Sequence, residues 1–311
     1  MRVAVVDIGT NSTRLLVADV SPQRAVTQLL RESIVTRLGE GVDATGRLGD
    51  EPMQRVFATL GRFRRTIDEL GASAATAVLT SAVRDAANGA EFTAAVRDGY
   101  GLDARTIDGD EEAALTFAGA TSERPRNGRE LVVIDIGGGS TEFVTGCDGE
   151  VGFHVSTQAG VVRQTERHLH DDPPPPAGLQ ALAAEVQAIF EDAVPQDLRE
   201  RVQTAIGVAG TPTSCASIEL GLEPYDPARV HGHVLELGTL EMQLAQLAQC
   251  NDEERREVPG LHPDRAPTIV AGIAMLIEAL RAFGLEEVEV SEHDILRGVA
   301  LALASSAGSA P

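Results

Sequence analysis

The sequence carries one short motif twice. Residues 5–13 read VVDIGTNST and residues 133–141 read VIDIGGGST. In both copies an apolar run ends in Asp-Ile-Gly and Ser-Thr follows, and the offset between matching residues is constant, since 135 − 7 and 140 − 12 both give 128. A constant offset indicates that a folded unit has been repeated in register. The repeat therefore predicts a chain of two related units.

The length and the order of predicted elements agree with two units. At 311 residues the chain exceeds the size at which one hydrophobic core usually stops growing. Apolar strand patterns alternate with helical patterns in both halves, which is typical of an α/β fold. The polar stretch SERPRNGRE reads as a loop between the halves. We therefore predict one domain over residues 1–125 and a second over residues 126–311.

The charge balance narrows the classes of function. The chain has 26 basic and 47 acidic residues, a formal net charge of −21, and every basic residue is an arginine. Such a chain lacks a broad electrostatic attraction for DNA or RNA. A Walker A lysine, a Schiff-base lysine and a lysine general base are all excluded. Any phosphate group would be bound by arginines, hydroxyls, backbone amides or a metal ion.

The N-terminal segment does not read as a targeting signal. The run MRVAVVDIGT is apolar but short, contains Asp7, and lacks a small-residue cleavage site, so it predicts a buried strand. Three cysteines far apart in sequence fit neither a disulfide framework nor a metal knuckle. We expect a cytoplasmic protein with reduced thiols and no membrane partner.

Each copy of the repeated motif has the chemistry of a phosphate-binding turn. A strand ends in aspartate, a glycine-rich reversal exposes consecutive backbone N–H groups, and Ser-Thr begins the next strand. Glycine lets the backbone approach an anion closely. One such turn is more often a plain hairpin, but two in register favour function. On two domains, the turns would face each other across a cleft and hold one phosphate chain from both sides.

The chain resembles the exopolyphosphatase and guanosine pentaphosphate phosphohydrolase (Ppx/GppA) family of the actin-like ATPase superfamily. Beyond the two turns, the resemblance covers nearly the whole length and rests on stretches that include TSAVRDAAN, IDGDEEAALTFAGA, GVAGTPTS, VPGLHPDRAPTIVAG and VSEHDILRGVAL. It implies an α/β architecture of two ribonuclease-H-like (actin-like) domains with an interdomain cleft. We expect the short two-domain form of the family.

The resemblance implies that Glu112 is the catalytic carboxylate. Hydrolysis of a terminal phosphate needs a base that orients or deprotonates water. In DGDEEAAL the glutamate directly before Ala113 matches the catalytic position of the family. From the residues alone, Asp110, Glu111 and Glu112 could equally be first-turn acids that the helix dipole stabilises. Ala114 stands where the family more often has arginine.

The second turn is the predicted metal site. Asp135 and Glu142 lie seven residues apart across the glycine-rich turn, where both could reach one Mg²⁺ (or Mn²⁺) ion, and Asp7 could assist from the first turn. Mg²⁺ favours one or two carboxylates together with phosphate oxygens and water. These three acids are therefore the predicted metal ligands.

The predicted phosphate ligands come from the two turns, from GVAGTPT and from VRDAAN. GVAGTPT resembles a second phosphate loop of the superfamily at a helix N-terminus, where unpaired N–H groups favour anions. Arg84 and Asn88 would share one helical face if their segment is helical, with a surface arginine as the alternative. The ligands are Asn11, Ser12, Thr13, Arg14, Arg84, Asn88, Gly137, Gly138, Gly139, Ser140, Thr141, Gly210 and Thr211.

The resemblance implies an exopolyphosphatase that releases terminal orthophosphate from inorganic polyphosphate with Mg²⁺. A pppGpp 5′-phosphohydrolase would use the same catalytic parts; a non-catalytic polyphosphate or nucleotide sensor and a superfamily kinase are further alternatives. Intact Glu112, Asp135 and Glu142 argue against a sensor. With a net charge of −21 and no lysine, distant phosphates should be repelled, so we expect short chains to be preferred. Polyphosphate or (p)ppGpp is the expected partner, and a homodimer is left open.

Overall fold

The computed structural model describes residues 1–308, with side chains as far as residue 305, and it divides into two compact units. Unit 1 comprises residues 1–122 and the C-terminal segment that starts at Asp294, and unit 2 comprises residues 123–293. Each unit is built on one mixed sheet, so the predicted α/β class is confirmed.

Unit 1 begins with a five-stranded sheet and its helices. The elements before unit 2 are β1 (Arg2–Ile8), β2 (Ser12–Val20), β3 (Val26–Val35), α1 (Val42–Thr45), α2 (Asp50–Leu70), β4 (Ala74–Leu79), α3 (Ser81–Asp85), α4 (Gly89–Tyr100), β5 (Asp103–Thr106) and α5 (Gly109–Ala120). The strand order is β3-β2-β1-β4-β5. β1 pairs antiparallel with β2 and parallel with β4, and its residues from Val3 to Ile8 are buried because both faces of the strand pack in apolar clusters.

Helix α2 shows how sequence sets an element of this unit. It starts with Asp50 and Glu51, whose charges the N-terminal helix dipole favours, and ends at Gly71 with φ 67°, where glycine adopts the left-handed conformation readily. Its buried residues recur at helical spacing and face the sheet; they include Val56, Leu60, Phe63 and Ile67.

Unit 2 contains a six-stranded sheet in the order β10-β11-β9-β6-β7-β8. Its first elements are β6 (Leu131–Ile136), β7 (Thr141–Cys147), β8 (Glu150–Thr157), α6 (Val161–His168), α7 (Pro176–Ala193), α8 (Gln196–Arg201), β9 (Thr204–Val208) and α9 (Gly210–Glu219). The remainder are α10 (Pro227–Val230), β10 (Val234–Glu236), α11 (Leu237–Leu247), α12 (Asp252–Arg256), a 3-10 turn (Pro263–Arg265), α13 (Ala266–Phe283) and β11 (Glu287–Val290).

The most apolar helix of the chain lies in the core of unit 2. By length and composition the segment Pro263–Phe283 could cross a membrane, with a mean hydropathy of 1.6, yet 83% of its apolar window is buried inside the protein. At its end Phe283 packs on Phe143 of β7, with ring centroids 5.5 Å apart, and Phe143 in turn meets Phe190 edge-on at 4.8 Å. This burial is typical of a core helix.

The last helix returns to the first sheet. Helix α14 (Ile295–Gly308) packs on β1, β2 and α5, and its Ile295, Leu296 and Val299 form a cluster with Val3 and Val5. Side chains of a strand alternate between its faces, so the apolar face of β1 that α2 leaves open needs a second cover. Helix α14, which the predicted second domain over residues 126–311 included, therefore belongs to unit 1. Residues 309–311 of that predicted domain lie outside the described part of the chain.

Helices α5 and α14 touch backbone to backbone. A Cβ added at Gly119 would lie 1.9 Å from the Asp294 carbonyl oxygen, and one added at Gly298 would lie 1.8 Å from the Leu115 carbonyl oxygen. Only glycine permits this approach. The contact fixes α5, the helix that carries Glu112.

Candidate active site

The two copies of the repeated motif form equivalent turns, one in each unit. In unit 1 the Gly9 N–H donates to the Ser12 carbonyl at 3.0 Å between β1 and β2. In unit 2 the Gly137 N–H donates to the Ser140 carbonyl at 2.9 Å between β6 and β7. The offset of these residues is again 128, so the sequence repeat is a structural repeat down to single hydrogen bonds.

The aspartate of each turn faces a different partner across the hairpin. Asp7 is paired with Arg14 on β2, whereas Asp135 is paired with Glu142 on β7. Directly paired residues of antiparallel strands place their Cβ atoms about 4.5–5.5 Å apart on the same face of the sheet. The predicted pair of Asp135 and Glu142 is thus brought together. The position in unit 1 that corresponds to Glu142 is occupied by Arg14.

The Asp135–Glu142 pair suits a divalent cation. Asp135 is 8% and Glu142 is 2% exposed, so two buried carboxylates lie side by side, and a divalent cation can offset their mutual repulsion. The Ser156 hydroxyl donates to Glu142 Oε1 at 2.7 Å and orients that carboxylate. Hard oxygen ligands of this kind fit Mg²⁺.

One carboxylate oxygen of Asp7 is already bound by the Arg14 guanidinium. Arg14 Nε donates to Asp7 Oδ2 at 2.8 Å, while the buried Oδ1 has no hydrogen-bond partner among the described residues. Burial raises the pKa of Asp7, and the charge of Arg14 opposes that effect. At most one oxygen of Asp7 is therefore left for a metal ion.

A fully buried aspartate that the sequence did not single out holds Arg14 in place. Asp294 Oδ2 accepts from Arg14 Nη1 and, at 2.8 Å, from Arg31 Nη2. Burial alone would raise the pKa of Asp294, but the two guanidinium groups outweigh it and the pKa lies below its ordinary value. Asp294 is 280 residues from Arg14, and its only sequence signal was membership of the stretch VSEHDILRGVAL.

Glu112 differs from its acidic neighbours Asp110 and Glu111 in that its side chain is buried. All three lie in the first turn of α5, where the Asp108 side chain caps the helix by accepting from the Glu111 N–H at 2.8 Å. Asp110 is exposed and Glu111 half-buried, but Glu112 is only 8% exposed. A carboxylate placed there only for the helix dipole would stay in water, so burial favours the catalytic interpretation of Glu112.

Arg84 holds the Glu112 carboxylate, as its Nη1 donates to Glu112 Oε2 at 2.9 Å and to the Ile107 carbonyl at 3.1 Å. Burial raises the pKa of Glu112 to about 7, against the lowering effects of the Arg84 hydrogen bond and charge. A carboxylate with a pKa near neutrality is suited to take a proton from water.

The VRDAAN stretch is not one helix, so the condition for a shared helical face of Arg84 and Asn88 is not met. Helix α3 ends at Asp85, and Asn88 is the N-cap residue of α4. The Asn88 side chain accepts from the Leu48 N–H at 2.9 Å and donates to the Leu48 carbonyl at 3.0 Å. Asn88 thus fixes a backbone segment, and its phosphate contact stays a prediction.

Three of the four predicted ligands of the first turn, Asn11, Ser12 and Thr13, are buried, and Arg14 is partly exposed. The Thr13 and Thr36 hydroxyls share a hydrogen bond of 3.0 Å in which either oxygen can be the donor, so Thr13 already has one partner inside the protein. The side-chain nitrogen of Asn11 is buried and has no partner among residues 1–308. A buried amide donor without an acceptor is costly, so Asn11 is well suited to meet a phosphate oxygen. Ser12 is buried next to it.

The second turn is braced by the start of α6. The Val161 and Val162 N–H groups donate to the Gly137 and Gly138 carbonyls, each at 2.9 Å. The Thr141 hydroxyl donates to the Ala159 carbonyl at 2.7 Å and so supports the turn. These contacts fix the predicted residues of the turn, which are Gly137, Gly138, Gly139, Ser140 and Thr141.

The third predicted phosphate segment lies at the start of α9. Ala209 has φ 69°, an uncommon value for a residue with a side chain, and Gly210 and Thr211 open the helix. A Cβ at Gly210 would lie 2.5 Å from the Arg265 guanidinium carbon, so Arg265 covers this helix start. Sequence reasoning did not select Arg265, although it lies in the family-like stretch VPGLHPDRAPTIVAG.

Comparison with known proteins gives one consistent result. The Ppx/GppA phosphatase family matches the chain over residues 16–307. Exopolyphosphatase 2 of Mycobacterium tuberculosis is 38% identical, over 97% of this chain and 98% of that protein. The crystal structure of the Ppx/GppA family member of Aquifex aeolicus has a TM-score of 0.82 at 31% identity and covers 100% of this chain and 99% of its own. An exopolyphosphatase structure from Cytophaga hutchinsonii has a TM-score of 0.89 at 27% identity and covers 98% of both chains.

Proposed function

The chain belongs to the Ppx/GppA phosphatase family and is a phosphatase hydrolase, and we propose that it is a Mg²⁺-dependent exopolyphosphatase that prefers short chains of inorganic polyphosphate. The observation that carries the proposal is the buried Glu112 carboxylate, held by Arg84 and with a pKa of about 7. It supplies a base poised near neutrality in a chain of this family.

In the proposed reaction, a water molecule attacks the terminal phosphorus atom. Unprotonated Glu112 accepts a proton from that water as the new P–O bond forms and the bond to the bridging oxygen breaks. Orthophosphate leaves, and the shortened chain keeps the bridging oxygen. Arg84 keeps Oε2 of Glu112 in place through its 2.9 Å hydrogen bond, so the carboxylate enters the step already oriented.

The metal ion belongs to the second turn in this proposal. Asp135 and Glu142 would hold Mg²⁺ together with water and phosphate oxygens, and the ion would neutralise phosphate charge. Ser156 orients Glu142 for this task through its 2.7 Å hydrogen bond. Asp7 is the weaker candidate, because Arg14 already occupies its Oδ2.

The phosphate chain would be bound by backbone amides, hydroxyls and arginines, since the chain has no lysine. The buried Asn11 amide would be one neutral donor, and N–H groups of the glycine-rich turns other than those of Gly9 and Gly137, which donate within the turns, would be others. The net charge of −21 disfavours a long polyanion that extends beyond the site. This supports the preference for short polyphosphate.

The deciding experiment measures orthophosphate release with Mg²⁺ from short polyphosphate, long polyphosphate and pppGpp in parallel. We expect the highest kcat/KM with short polyphosphate. Glu112→Gln serves as the control for contaminating phosphatases, because it should bind the substrate and release no phosphate. Faster release from pppGpp would replace the proposal by a pppGpp phosphohydrolase. Binding without release by the unaltered chain would indicate a sensor.

A further inference from the structure

A cluster of two histidines and a glutamate lies on unit 2, apart from the residues assigned above. Glu123, His231 and His293 each offer one ligand atom, and the three atoms lie within 4.8 Å of one another. The His231 and His293 ring centroids are 4.2 Å apart, and His293 Nδ1 is 3.9 Å from Glu123 Oε2. We propose that this cluster is a binding site for a transition-metal ion of the Zn²⁺ type, separate from the Mg²⁺ site.

The donor set selects the class of metal. Imidazole nitrogen suits Zn²⁺, Cu²⁺ and Ni²⁺, whereas Mg²⁺ takes oxygen ligands. Two histidines and one carboxylate form a donor set found in zinc sites that keep a fourth position for water. The site therefore differs in chemistry from the all-oxygen pair of Asp135 and Glu142.

The spacing is close to what an ion needs. Ligand atoms at about 2.0–2.1 Å from a tetrahedral Zn²⁺ lie roughly 3.3 Å from each other. The 3.9 Å separation of His293 and Glu123 is near this value, and the 4.8 Å limit exceeds it by an amount that rotation of exposed side chains supplies. Glu123 and His231 are both exposed, so an ion can reach the cluster from solvent.

The backbone under the cluster is fixed by other contacts. The Gly232 N–H donates to the Val290 carbonyl at 2.8 Å, and the Val290 N–H donates to the His233 carbonyl at 2.7 Å, so the His231 loop is held to the end of β11. The His293 N–H donates to the Ser291 hydroxyl at 3.0 Å, which fixes the turn that carries His293.

The third segment is held by a side-chain contact, because Arg124, next to Glu123, forms an ion pair with Glu289 of β11. The three ligands thus come from three segments whose backbones are already positioned. Preorganisation of this kind lowers the entropy cost of binding an ion.

A hydrogen bond to His231 must be given up when an ion binds. The Glu292 N–H donates to His231 Nδ1 at 3.2 Å. An ion at Nδ1 displaces this bond, and an ion at Nε2 moves the ring proton to Nδ1 and breaks it as well. The loss is small beside the gain of a metal–nitrogen bond.

The proposed ligands include both terminal residues of unit 2. Glu123 is the first residue of unit 2 and His293 is its last, so an ion would link the two points at which the chain enters and leaves this unit. We expect the ion to stabilise unit 2 because it binds the folded state and not the unfolded chain.

The test is a Zn²⁺ titration of the chelator-treated full chain with Mg²⁺ in excess, followed by calorimetry and by the melting temperature. Co²⁺, whose visible absorption reports tetrahedral coordination, serves as a second probe. We expect one equivalent to bind, with affinity at least about tenfold weaker in His231→Ala, His293→Ala and Glu123→Gln. Mg²⁺-dependent phosphate release without Zn²⁺ should be unchanged in Glu123→Gln.

The matched control is His233→Ala. His233 lies two residues from His231 and pairs with Glu219 at 2.7 Å, but it is outside the three-residue cluster. Its substitution should leave Zn²⁺ affinity unchanged. Equal loss in His233→Ala, unchanged affinity in His231→Ala and His293→Ala, or no binding to the unaltered chain would each overturn the proposal.

Discussion

Arg14 Nε lies 2.8 Å from Asp7 Oδ2, and the residue that corresponds to Arg14 in the second copy of the repeat, 128 positions later, is Glu142, opposite Asp135. The two turns therefore have the same backbone hydrogen bond but carry side chains of opposite charge at one cross-strand position. In unit 1 an arginine neutralises the aspartate. In unit 2 a second acid faces it, which supports the proposal of a metal ion there.

The first prediction follows from this difference. Asp135→Asn and Glu142→Gln should each raise the Mg²⁺ concentration for half-maximal activity by at least about tenfold, because each removes one of two carboxylates proposed to hold the same ion. Mg²⁺ titrations of phosphate release measure the effect. Ser156→Ala, which removes only the hydrogen bond to Glu142, should give a smaller shift. Unchanged titrations in both acid variants would move the metal site elsewhere.

The second prediction concerns Glu112, the proposed base. Glu112→Gln should lower kcat by at least about 100-fold with polyphosphate binding retained, since the amide keeps the shape and loses the proton acceptor. In the unaltered enzyme kcat/KM should rise with pH and level off above about 7, because the pKa of Glu112 is raised to about 7 and only the unprotonated form accepts a proton.

Arg84 provides the control for that pH profile. Its guanidinium lowers the pKa of Glu112, so Arg84→Met should move the rise in kcat/KM to higher pH. Titration of the substrate phosphate would not move with this substitution. A profile with the same midpoint in both proteins would therefore assign the titration to the substrate and contradict the role of Glu112.

The third prediction tests the buried partner of Arg14. Asp294→Asn should destabilise unit 1 by about 3–5 kcal/mol, because Arg14 and Arg31 lose the buried carboxylate that they share. Denaturant unfolding measures the loss. Asp19→Asn, which breaks the solvent-exposed pair with Arg2, should have little effect.

The effect of Asp294 should also depend on pH in a defined direction. The pKa of Asp294 is lowered in the folded protein, so its stabilising contribution is fully present above the ordinary carboxylate pKa near 3.8 and is lost as the pH falls through the lowered value. The stability gap between the two proteins should narrow in acid. A gap that is constant with pH would show that the charge of Asp294 is not what stabilises the unit.

The fourth prediction concerns the contact of α5 with α14. Gly119→Ala should cost about 1–3 kcal/mol or more and also lower kcat, because a Cβ there would lie 1.9 Å from the Asp294 carbonyl and push away the helix that carries Glu112. Gly99→Ala on α4 is the matched control, since its Cβ would meet nothing within 4 Å. That change should stabilise by up to about 1 kcal/mol. Equal effects of the two substitutions would contradict the close packing.

The fifth prediction concerns substrate length. With a net charge of −21, kcat/KM should fall as polyphosphate length increases at low salt, and moderate salt should relieve part of the fall by screening. Kinetics with polyphosphates of graded length at two salt concentrations measure this. A steady rise with length would instead indicate an extended arginine-lined track.

The sequence by itself determined the features that are local in the chain. The strand, glycine turn and strand of each repeat are contiguous, so residues 5–13 and 133–141 were enough to predict both turns. The α/β class followed from the alternation of strand and helical patterns along both halves. The same holds for the facing of Asp135 and Glu142, because a tight antiparallel hairpin brings residues on either side of its turn into register.

Only the tertiary structure decided what depends on residues far apart in sequence. Burial selects Glu112 among three neighbouring acids, and that burial comes from packing that no local pattern records. Arg14 contacts Asp294, 280 residues away in sequence, because α14 packs on the apolar face of β1 in the first sheet. Charge pairing and burial are set by distances in space, and a linear pattern fixes those distances only within a hairpin or a helix.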